Sequence, residues 1–181
     1  MVAEEGNKRQ GSMSPAEIQQ CVTDVAAWFE RQGVAPEPCS RPDLEALQKT
    51  LGTELPPALG GEAGMLEVLG VSCWYYERRA LSSDALSTEA ERLGVRDGSI
   101  IPFASDVDGN LYVVDTSTKN DAVFEWDAEE GADGRGEQVA SSFEDFLERL
   151  RNDLLSGSFE YVDECGVVEG MGGGEGKSSH K

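Results

Sequence analysis

Ile100-Ile101-Pro102-Phe103-Ala104-Ser105-Asp106-Val107-Asp108-Gly109-Asn110-Leu111-Tyr112-Val113-Val114-Asp115, followed after a short polar break by Ala122-Val123-Phe124-Glu125-Trp126-Asp127, is the stretch that decides the fold. β-Branched and aromatic residues dominate it, the composition that suits a pleated, partly covered surface. Asp108-Gly109 stands between two apolar runs, and glycine tolerates the positive φ of a tight turn, so the pattern predicts a hairpin. Leu111, Tyr112, Val113 and Val114 are apolar on both faces, as in a covered central strand. Thr118-Lys119-Asn120-Asp121 reads as a second turn. Residues 122–127 then read as a strand with Phe124 and Trp126 on one face and Val123 and Glu125 on the other.

Toward the C-terminus, 129–137 reads as a Gly-rich acidic loop and 138–140 as a short strand. The last helix has the sharpest signature. Ser141 and Glu144 are spaced as a capping box, and Phe143, Phe146, Leu147, Leu150 and Leu154 share one face. Gly157 ends it, and 159–162 is extended. Toward the N-terminus, 83–93 reads as a helix with Leu86, Ala90 and Leu93 inward, and 71–76 as a strand. Gly60, Gly61 and Gly64 interrupt 58–69, which leaves at most a short helix around Met65, Leu66 and Leu69. A second helix starts after Ser40, with Leu44, Leu47 and Leu51 inward, and Gly52 closes it. The first helix opens on Ser14, Pro15 and Glu17 and buries Ile18, Cys21, Val22, Val25, Ala26 and Phe29; Gly33 ends it.

Helices and strands that do not alternate regularly indicate α+β architecture. The expected fold is a mostly antiparallel five- to six-stranded sheet packed by N-terminal helices and a C-terminal helix. One domain is expected over 14–166, with disordered segments at 1–13 and, Gly-rich, at 167–181.

Charge narrows the function. The chain carries a net −20, and between Ile101 and Cys165 seventeen Asp and Glu face only Lys119, Arg135, Arg149 and Arg151. Such a surface repels nucleic-acid phosphates and anionic lipid headgroups and steers basic proteins inward. No run of 18 apolar residues offers a membrane span, and the polar start at 1–10 is unlike a secretory signal. Cys21, Cys39, Cys73 and Cys165 are widely spaced, without a C-x-x-C pair, so no zinc site is expected and a reducing, cytoplasmic setting is.

The same inventory argues against an enzyme. His180, the only histidine, lies in the tail, so the folded region has no imidazole for a Ser-His-Asp or Cys-His arrangement. Asp106, Asp108 and Asn110 start like a calcium loop, but Leu111 and Ser117 stand where such a loop needs Gly and Glu, so a hairpin turn is the better reading. No phosphate-binding glycine motif precedes a helix. No cofactor, metal or small-molecule substrate is expected. Acid–base catalysis by a pair of carboxylates stays open in principle, and the charge would steer a basic protein partner inward. The acidic cluster Glu125, Asp127, Glu129, Glu130, Asp133 and Glu137 sits on a strand end and its loop. Alternation puts Trp74 and Tyr76 on one side of their strand and Tyr75 on the other; one side is core and the other could present an aromatic anchor, for which Tyr75 is the candidate, with core packing as the competing reading.

Several pieces in a fixed order carry a resemblance. They are Leu51-Gly52-Thr53-Glu54-Leu55-Pro56-Pro57, Ile101-Pro102-Phe103-Ala104-Ser105-Asp106, Asp108-Gly109-Asn110-Leu111-Tyr112, Val123-Phe124-Glu125-Trp126-Asp127 and Val139-Ala140-Ser141-Ser142-Phe143-Glu144-Asp145-Phe146-Leu147. Together, from about Leu47 to Val168, the chain resembles the SUKH superfamily. It departs at 58–70, where the family carries a longer helix. The resemblance implies a non-enzymatic protein-binding scaffold. Bacterial members neutralise toxins by capping their active sites; fungal members regulate cell-wall synthesis through protein contacts. A regulatory or scaffold subunit of a larger complex is the first expectation for this chain, and an immunity protein the alternative.

Overall fold

The computed structural model describes residues 13–94 and 98–170. The first helix, α1 (Pro15–Arg31), starts at a reciprocal cap: the Glu17 N–H donates to Ser14 Oγ (3.1 Å) and the Ser14 N–H to Glu17 Oε1 (2.9 Å). Helix α2 (Arg41–Leu51) is capped by Ser40 and closed by left-handed Gly52. Pro57 and the glycines then permit only two single turns, α3 (Pro57–Gly60) and α4 (Met65–Val68), which still bury Ala58, Leu59, Met65 and Leu66.

A six-stranded antiparallel meander follows, in the order β1 (Trp74–Tyr75), β2 (Arg78–Ala80), β3 (Ile100–Ser105), β4 (Leu111–Asp115), β5 (Ala122–Trp126) and β6 (Arg135–Ala140). Helix α5 (Ser83–Leu93) connects β2 to β3, and a 3-10 segment (Ala128–Asp133) connects β5 to β6. Helix α6 (Phe143–Leu155) and a separate hairpin, β7 (Phe159–Val162) with β8 (Gly166–Glu169), complete the fold. The α+β class and the antiparallel sheet follow the sequence reading.

Strand alternation splits the core in two. Ile101, Phe103, Tyr112, Val114 and Val123 face the larger core, which also takes the apolar stripes of α1 and α6. Ile100, Leu111, Val113 and Trp126 face a smaller one with Leu93 of α5 and Ala128. Strand β4 is therefore buried along its whole length, as its unbroken apolar run requires. At the centre, the rings of Tyr75 and Phe103 (5.0 Å), Phe103 and Phe143 (5.2 Å), and Tyr112 and Phe146 (5.2 Å) meet edge to face.

The structure corrects several local expectations. The strand expected at 71–76 is only two residues long, because Tyr76 takes a positive φ of 61° and turns the chain into β2. Strand β6 begins at Arg135, within the stretch expected to be loop. The cap of α6 is Ser142, whose Oγ accepts the Asp145 N–H at 2.9 Å, not Ser141. Glu144 instead accepts the Met13 N–H at 2.7 Å, and Met13 is buried, so this residue belongs to the folded body rather than to a tail. The C-terminal boundary moves as well: Val167 is buried in β8. Residues 1–12 and 171–181, with His180, lie outside the described residues.

Candidate protein interface

The acidic cluster is assembled where β5 leaves the sheet. Trp126 ends the strand with its indole in the smaller core, and its Nε1–H donates to the Gly131 carbonyl at 2.8 Å. Asp127 caps the 3-10 segment: its Oδ1 accepts the Glu129 N–H (3.0 Å). The Asp127 N–H donates to Gly134 O at 2.8 Å, which closes the loop back onto β6. Glycine is required at 134, because a Cβ there would overlap the Asp127 carbonyl and the Trp126 indole. The loop is thus a fixed platform held by backbone and indole hydrogen bonds.

Glu125, Asp127, Glu129, Glu130, Asp133 and Glu137 are all exposed on this platform and on the strands beside it. Glu125, Asp127, Glu130 and Asp133 line a shallow cavity of about 360 Å³ with Arg78 and Asn110. Glu129 and Glu137 lie outside its lining. Five of the six acidic candidates therefore sit on one strand end and its turn, and Glu137 continues the surface along β6.

Two arginines at this end are engaged internally. Arg78 stacks on the Tyr112 ring (4.1 Å) and lies 3.8 Å from Asp106 Oδ2. Its Nε is buried without a hydrogen-bond partner. Arg135 stacks on Phe124 (4.2 Å) and pairs with Asp115, a carboxylate only 2% exposed. Burial raises the pKa of Asp115, but hydrogen bonds from the Ser117 side chain, Arg135 and the Ser117 N–H outweigh it, and the net displacement is downward. Burial raises the neighbouring Asp121, and the Asp115 charge raises it further. Arg78, Arg135 and Asp115 were not among the sequence candidates. The available signal was a charged residue at the end of the wholly apolar strand β4.

Tyr75 is the correction. It is 0% exposed, packed against Phe103, Phe143 and Phe146, so it anchors the core and presents nothing to a partner. Trp74, on the opposite side of β1, is half-buried against Gly166 of the β7–β8 hairpin, and Tyr76, just past the strand, packs between Phe146 and Phe159. Burial pushes the Tyr75 hydroxyl well above its ordinary pKa, and the nearby Cys73 adds to this.

Among the described residues no group of three or more His, Cys, Asp and Glu is placed to hold a metal ion. No helix among them is long and apolar enough to cross a membrane. The arrangement offers a rigid negative surface with a concave centre. A search of curated proteins finds no match. A family model does match, over residues 38–149, which spans α2 through most of α6 and leaves α1 and the β7–β8 hairpin outside. More than half of the chain is covered by that match, and the protein belongs to the SMI1 / KNR4 family (SUKH-1).

Proposed function

We propose that this chain is a non-catalytic acidic protein-binding module, a regulatory or scaffold subunit of a larger complex, whose contact surface is the platform at 125–137. The observation that carries this reading is the imbalance of available charge. Six carboxylates are exposed there, while Arg78 and Arg135 are each held by an internal carboxylate and an aromatic ring. A fixed field of one sign attracts a basic protein surface and orients it before contact. Membership of the family agrees with a binding role. Four cysteines, none of them in a disulfide, agree with a cytoplasmic setting.

A second reading is an immunity protein that covers a toxin's active site. The cavity among Glu125, Asp127, Glu130 and Asp133 favours it, since a nuclease cleft lined with Lys and Arg would complement that rim.

Native co-purification with mass spectrometry tests both. The wild-type chain is compared with a Glu129→Lys/Glu130→Lys variant, at low and high salt. The expected result is a basic partner retained by the wild type, lost at high salt, and weakened about tenfold or more in the variant. Several non-toxin partners support the subunit reading, and a single toxin supports the immunity reading. Identical recovery by wild type and variant at both salt levels would sink the acidic surface as the binding site.

A further inference from the structure

The sheet has two margins, and only one is closed. At β1, the Val167 N–H of β8 donates to the Tyr76 carbonyl at 2.8 Å, and the β7–β8 hairpin packs over that side. At the other margin, β6 pairs with β5 and with no further strand among the described residues. Arg135, Gly136, Glu137 and Gln138 are all exposed. Arg149 blunts the far end of this margin: its Nη1–H donates to the Val139 carbonyl at 2.9 Å. An uncovered edge strand is a template for a further strand, through main-chain pairing.

We propose that the β6 margin over 135–138 accepts an extended basic segment of a partner protein as an added strand. This rests on the reading of the acidic platform as the contact surface, and it names how the contact is made. Charge selects the occupant. Glu137 lies on the strand itself, Glu125 on the strand beside it, and Glu144 and Asp145 open the helix that follows. Arg135 offers no competing free cation, because it is paired with Asp115 and stacked on Phe124. A second copy of this chain is a poor occupant, because each copy carries a net −20. A strand of alternating Lys or Arg and Val would pair its backbone with β6 and its cations with these carboxylates.

The probe is a synthetic peptide of that alternating composition, about ten residues long. It is used unmodified, N-methylated along one backbone edge, and N-methylated along the other. Full-length protein is titrated and its amides are followed by NMR. Methylation of one edge should weaken binding about tenfold or more while methylation of the other leaves it unchanged, because a strand pairs through only one of its edges. The amides of 135–138 should gain protection from exchange. Glu137→Lys should weaken binding about tenfold, and Glu169→Lys, the same charge change at the closed margin, should not. Equal binding of the two methylated peptides, or shifts confined to Glu129, Glu130 and the cavity, would overturn strand addition and leave the charged surface standing. Absence of binding, or self-association through β6 seen by sedimentation, would overturn it as well. Loss of partner capture in the Glu129→Lys/Glu130→Lys variant separately tests the underlying reading.

Discussion

Asp115 ends the most buried strand with a charge, and the cost of burying it is offset by Ser117 and Arg135. Its folded pKa lies below its ordinary 3.8, so the native state gives up the proton more readily than the unfolded chain. The pair therefore contributes its full stability above the ordinary value, and the contribution disappears as the pH falls through the lowered one. Asp115→Asn is expected to cost about 2 kcal/mol at neutral pH, with the difference from wild type shrinking in acid. Urea unfolding at neutral pH and at roughly pH 3 measures both. Gly70 is a second sensitive position. It has φ +56°, and a Cβ there would strike the Glu37 carbonyl, with which the chain forms an isolated parallel bridge. Gly70→Ala should lower stability by more than about 1 kcal/mol, read as a lower thermal midpoint. Tyr75 shows where single residues were not legible. Alternation along 71–76 sets Tyr76 opposite Tyr75, but Tyr76 leaves the strand at a positive φ and meets Phe146 as Tyr75 does, and no local pattern tells that the tail returns as a hairpin over Trp74.

Elements were legible where one face is apolar and the other wet. Helices α1, α2, α5 and α6 and the turn between β3 and β4 follow directly from cap residues, stripes and Asp108-Gly109. Strand β6 was not, because Arg135-Gly136-Glu137-Gln138 is solvated at the sheet margin and carries no apolar period. The acidic candidates were legible for the same reason, since charge at an exposed margin shows in composition. The ion pair of Arg78 with Asp106 was not, because β2, which carries Arg78, had no strand signal. The start of α6 separates two serines that look equivalent in sequence. Ser142→Ala removes the hydrogen bond to the Asp145 N–H and should cost about 1 kcal/mol, whereas Ser141→Ala should change stability by less than about 0.5 kcal/mol. Chemical denaturation of the two variants distinguishes them.

At the scale of the whole molecule, a net −20 on a chain of 181 residues is a standing repulsion against compactness. Modest added salt screens it, and the thermal midpoint should rise by a few degrees across a KCl series. A falling midpoint would mean that ion pairs such as Arg151 with Asp24, which join α6 to α1, matter more than the general repulsion. That helix pairing has a further consequence. Met13 meets Glu144, Cys21 meets Leu147 and Asp24 meets Arg151 across separations of 131, 126 and 127 residues. A ribosome adding roughly 5–20 residues per second leaves the greasy side of the first helix without its mate for about ten seconds. The nascent chain must therefore shelter that side, by a chaperone or by provisional contacts with the second helix, until α6 has been made.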